Sequence, residues 1–172
     1  MIMTTHSLCY QDIRESIQTG DVLVWKKDRL SFMSNLFLKG IRFFTMSEFA
    51  HVAVAWRVGS RLFAIEATQP FVRIFPISGY DEFYHIPLNL TNIEEDDLSF
   101  LLSQVGRTYS LKGAIRAYLD IPLDYTDNAW QCAELTGEFL RRVGIEVTGT
   151  TPSDLVEDLL IEGYSVTLVK AN

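Results

Sequence analysis

The chain has 172 residues, 48% hydrophobic, 12% aromatic and 22% charged. That suffices for a core of its own and excludes a disordered tail, a collagen-like repeat and a low-complexity linker. Its 15 basic and 22 acidic side chains give a formal net charge of −7, which argues against nucleic acid or an anionic membrane held through a broad basic face.

From the N-terminus, residues 10–18 read as a short helix closed by Gly20, and residues 21–25 as a first strand. Residues 31–44 carry a loose helical pattern weakened by Gly40. Residues 50–56 and 61–67 are β-rich runs flanking Val58-Gly59, the clearest hairpin in the chain. Strands are expected at 71–75 and 83–87. Four acids, Glu94 to Asp97, precede the apolar run 98–105 and suit a helix start. A helix over 111–119 is stopped by Pro122. The strongest helix spans 129–143, where Cys132, Leu135, Thr136, Phe139 and Val143 share a face; Asp127 or Asn128 caps its start and Gly144 closes its end. Thr151-Pro152-Ser153-Asp154 opens another helix, and residues 164–170 form a last strand. Strands in the middle and helices late make an α+β class. With no internal repeat and no linker, residues 1–172 form one domain.

No window of about 18 residues is free of charge, so a spanning helix is not expected. The first residues, MIMTTHSLCYQDIRES, lack the basic patch and apolar run of a signal peptide. Two cysteines are too few for a disulfide framework or a Cys-rich zinc site. A soluble, cytoplasmic protein is expected, with release by another route left open. No His/Cys/Asp cluster has metal-ligand spacing, no Gly-rich phosphate loop is present, and no cofactor is expected.

Cys132 falls in the first turn of its helix, at the positive end of the dipole. Thiolates are favoured there, and the unpaired N–H groups suit an oxyanion; the plainer alternative is an inert cysteine on an apolar face. A nucleophilic cysteine needs a base. His6 lies in the terminus and His85 in a strand, but His51 opens the hairpin. With Val58-Gly59 as the turn, Arg57 faces Ser60, Val54 faces Phe63 and His51 faces Glu66, with Cβ atoms about 5 Å apart. A carboxylate there orients the imidazole. A three-residue turn would set Glu66 opposite Val52, off His51's face. The face of His51 and Glu66 also bears Ala53, Ala55 and Ala64. Such small side chains suggest that the Cys132 helix packs on that side. The alternative for His51 and Glu66 is a charge pair on a solvated face.

The order Gly20-Asp21 with a strand, Ser47-Glu48-Phe49-Ala50-His51-Val52-Ala53-Val54, Ala64-Ile65-Glu66-Ala67 and Gln131-Cys132-Ala133-Glu134-Leu135 resembles the circularly permuted papain-like cysteine amidohydrolases. These are the NlpC-type superfamily with its YaeF/YiiX-like members, remotely similar to lecithin–retinol acyltransferase. The step from Gly106 to Tyr109 and the Thr151-Pro152 helix start match as well. The resemblance covers about residues 20–160. It implies a central antiparallel sheet or small barrel packed against the Cys helix, with Cys132 as nucleophile, His51 as base and Glu66 orienting it. It further implies a peptidase or amidase acting on peptide-like or lipid-amide substrates. Trp130 and Tyr109 are candidates to line a cleft. Asp21 reads either as a site residue or, preferably, as a turn residue before its strand. Relatives often carry Ser after the cysteine where this chain has Ala133, which favours the alternative of an inactive binding module; acyl transfer is a third reading. Substrate identity and oligomeric state are not legible.

Overall fold

Runs of Val, Ile, Ala and aromatic residues form the strands, as their fit to a pleated, buried surface predicts. In the computed structural model, which describes residues 7–26, 48–90, 93–119, 121 and 129–171, these strands make one seven-stranded sheet. In chain order the elements are β1 (Leu8–Cys9), α1 (Tyr10–Ile13), β2 (Val22–Lys26), β3 (Phe49–Val58), β4 (Arg61–Ala67), β5 (Val72–Pro76), a 3-10 turn (Ile77–Gly79), β6 (Glu82–Ile86), α2 (Glu95–Ser103), α3 (Leu111–Tyr118), α4 (Cys132–Arg142), α5 (Pro152–Ile161) and β7 (Thr167–Lys170). The strand order is β1-β7-β6-β2-β3-β4-β5. Every neighbouring pair is antiparallel except β1 with β7, which is parallel. The α+β class therefore holds, while the sheet is mixed, with β1 and β5 outermost among the described strands.

The hairpin pairs Val58 with Arg61, Ala55 with Ala64 and Val54 with Ile65. The turn is therefore Gly59-Ser60, not Val58-Gly59. Gly59 takes φ +58°, which a glycine adopts without the steric cost of a side chain. The corrected register is displaced by two residues. An even displacement keeps every side chain on its face, so His51 and Glu66 stay on the same side.

The two faces of the sheet bury different partners. Val22, Val24, Val52, Val54, Ile65 and Ile86 form one core with Leu135, Phe139 and Leu140 of α4 and Leu155 and Leu159 of α5. Ala53, Ala55 and Ala64 face the other core, filled by Ile17, Leu23, Trp25, Ile77 and Phe83. The expectation that α4 packs on the alanine side is thus overturned. The alanines make room for the large Trp25 and Phe83 side chains of nearby strands, and the β-branched face offers α4 its contact surface. Residues 31–44 and the proposed cap residues Asp127 and Asn128 lie outside the described residues, as does Pro122. The first helix is shorter than expected, ending at Ile13. Gly144, at φ +83°, follows the last turn of α4, and its N–H donates to the Arg141 carbonyl at 3.2 Å, as the sequence predicts for a left-handed helix stop.

Candidate active site

Cys132 is the first residue of α4. The helix starts there because residues before it are extended: Trp130 bridges Tyr109, and the Trp130 N–H donates to the Thr108 carbonyl at 3.0 Å. Gln131 is the cap, a role the sequence assigned to Asp127 or Asn128. Its Oε1 accepts from the Ala133 N–H at 2.9 Å and from the Cys132 thiol at 3.8 Å. Its Nε2 donates to the Thr150 carbonyl at 2.8 Å, and its own N–H donates to Glu134 at 3.4 Å to complete a capping box. The Cys132 N–H makes no hydrogen bond among the described residues and stays an open donor at the positive end of the helix.

His51 interacts with this thiol and is itself buried. Its Nε2 is bound to Glu66 Oε2 at 2.5 Å, which leaves Nδ1 as the ring nitrogen available to sulfur. The ring also lies 5.3 Å from the Trp25 ring. His51 therefore touches one side chain from each core, Trp25 from one and Cys132 from the other. A bulge breaks the β2–β3 register between Trp25 and Lys26, beside His51, and such bulges re-aim side chains.

Glu66 is fully buried. Its second oxygen, Oε1, accepts from Arg73 Nε at 2.8 Å and from the Tyr80 hydroxyl at 2.7 Å. Burial alone would raise the Glu66 carboxyl, but the hydrogen bond and charge of His51, with hydrogen bonds from Tyr80 and Arg73, hold it well below the usual carboxylate range. Burial alone would likewise lower His51. Hydrogen bonds with Cys132 and Glu66, together with their negative charge, reverse the sign and raise it well above an ordinary imidazole. Tyr80 is pushed up by burial and by the neighbouring Glu66 charge, so it remains a neutral donor.

The structure thus brings Cys132, His51 and Glu66 into one buried group. It does not bring Asp21 to them. The Asp21 carboxylate accepts from the Gln18 N–H at 2.8 Å and the Leu88 N–H at 3.0 Å and binds His85 Nε2 at 2.8 Å, fixing the turn before β2 against β6. Trp130 is anchored, not free: its indole N–H donates to Gln104 at 2.8 Å and its ring meets Phe100 edge-on. Tyr109 lies beside it, its N–H donating to the Pro70 carbonyl at 2.9 Å. Sequence reasoning missed Arg73, Tyr80, Trp25 and Gln131. The β4–β5 ladder, which sets Arg73 opposite Glu66, would have revealed the first.

No protein-family model matches the sequence, and no curated protein does. Among solved structures the fold is similar to that of the metalloprotein yiiX from Escherichia coli O157:H7, described with the label DUF1105. The TM-score is 0.53 at 13% identity, over 74% of this chain and 66% of that one. This chain therefore spans just under two thirds of that protein, and the likeness is one of fold. Among the described residues no group of three or more His, Cys, Asp or Glu is placed to hold a metal ion, and both Glu66 oxygens already have partners.

Proposed function

We propose that this protein is a permuted papain-like cysteine hydrolase that cleaves an amide or ester bond through an acyl-enzyme on Cys132. The observation that carries the reading is the buried group itself: a thiol at a helix tip that interacts with an imidazole whose Nε2 is held by a carboxylate at 2.5 Å. The fold shared with yiiX supports the YiiX-like side of the resemblance.

His51 takes the thiol proton, giving a thiolate–imidazolium pair. The thiolate forms a C–S bond to the substrate carbonyl carbon, and the C=O electron pair moves to oxygen. The open Cys132 N–H and the positive helix end stabilise that oxyanion. Its collapse breaks the C–N or C–O bond while the imidazolium protonates the leaving group. Water then gives a proton to His51 and attacks the thioester, releasing the acid and restoring the thiol. Glu66 holds the ring in one orientation throughout. Peptide-like amides, such as those of cell-wall peptides, are the first substrate class and N-acyl amides the second; an acceptor other than water would turn the same steps into acyl transfer.

The test is a panel of peptidyl and N-acyl nitroanilides and nitrophenyl esters, with intact-mass detection of the trapped thioester. Acylation on Cys132, with turnover reduced about 10³-fold or more in Cys132→Ala and His51→Ala, is the expected result. Unchanged turnover in Cys132→Ala, or no acylation of Cys132 by any member of the panel, contradicts it.

A further inference from the structure

Glu66 has more partners than the orientation of one imidazole requires. One oxygen holds His51, and the other receives both Arg73 and Tyr80. Arg73 stands directly across the β4–β5 ladder from Glu66, with its side chain 25% exposed. Tyr80 is fixed between the rings of Trp25, at 4.5 Å, and Phe75, at 5.2 Å. Among the described residues, the charged and titratable groups that meet the His51–Glu66 pair are Arg73 from β5, Tyr80 from the loop before β6 and Cys132 from α4. Lys26 and Glu48, at the neighbouring strand ends, pair with each other at 2.5 Å.

A carboxylate between two cations shares its charge between them. With Arg73 in place the line runs guanidinium, carboxylate, imidazolium, thiolate, and its charges cancel. A buried neutral set is far less costly than a buried net charge. Without the guanidinium the set is negative and binds the next proton more tightly, and the thiolate is where that proton goes. We infer that Arg73, acting through Glu66, is a positioning residue that sets the acid limit of Cys132 reactivity, with Tyr80 fixing the same carboxylate oxygen. This rests on the reading of Cys132 as the nucleophile paired with His51.

The experiment is the pH dependence of iodoacetamide alkylation at Cys132, resolved by site with mass spectrometry, in the full chain and in Arg73→Met, Arg73→Lys and Tyr80→Phe. In Arg73→Met the acid limb is expected to move up by about 0.5 to 1 pH unit, seen as alkylation about three- to ten-fold slower at a fixed pH on that limb. Arg73→Lys restores the limb, and Tyr80→Phe moves it upward by less. A packing role alone would lower the folded fraction and leave the limb in place. If Arg73→Met does not fold, Tyr80→Phe, which loses a single hydroxyl, carries the prediction. Superimposable limbs in wild type and the folded variants overturn the inference while leaving the nucleophile reading intact. A wild-type Cys132 that is alkylated no faster than an ordinary thiol at any pH overturns both.

Discussion

A buried imidazole bonded to a buried carboxylate ties stability to pH in a way that exposed pairs such as Arg142 with Glu138 do not. Glu66 is held below its ordinary value of 4.5, so its contribution is present above that pH and is lost as pH falls through the lower folded value. His51 is raised above its ordinary 6.5, so its contribution is complete below 6.5 and is lost as pH rises through the folded value. The unfolding free energy is expected to be greatest between these two values and to decline on the alkaline side. Glu66→Gln is expected to cost about 3 kcal/mol within that window and to flatten the alkaline decline, as measured by urea unfolding across pH. A variant that keeps the wild-type slope would show that other groups set it. At this scale the placement of His51 and Glu66 on one face was legible because alternation along a strand depends only on odd and even positions. Tyr80 was not, since it follows a 3-10 turn, where no periodicity reports a side chain's direction.

The start of α4 decides where the thiol sits. Gln131 both caps the helix and ties it to the Thr150 carbonyl. Gln131→Ala is expected to destabilise the fold by about 1 kcal/mol and to slow alkylation of Cys132. Thr151→Ala, which removes the cap of α5, costs a similar amount and leaves Cys132 alkylation unchanged. Denaturation and labelling of the two variants side by side check this; equal effects on labelling would deny Gln131 a role at the thiol. The sequence marked this helix well but started it too early. Residues 129 and 130 continue its apolar pattern, and only the long-range bridge of Trp130 to Tyr109 shows that they are extended. The alanine face misled for a related reason: small side chains show that something packs closely, not whether it is a helix or a tryptophan from the next strand.

Across the whole molecule, most strands and all the later helices could be located from the sequence, because hydrophobic period, caps and turn residues are local signals. The strand order could not. Pairing β1 with β7 joins opposite ends of the chain and leaves no local trace. No described helix is long and apolar enough to cross a membrane. His51 comes from β3, Glu66 from β4, Arg73 from β5 and Cys132 from the start of α4, so four segments of the chain meet in one group. The two cysteines offer a direct test of that site, because burial and the proposed chemistry rank them in opposite orders. Cys132 is buried and Cys9 is only partly so. The measurement is the ratio of their iodoacetamide alkylation rates in the native protein at neutral pH. The account predicts that Cys132, as the nucleophile, reacts at least about ten-fold faster; a faster Cys9, as exposure alone dictates, would contradict it.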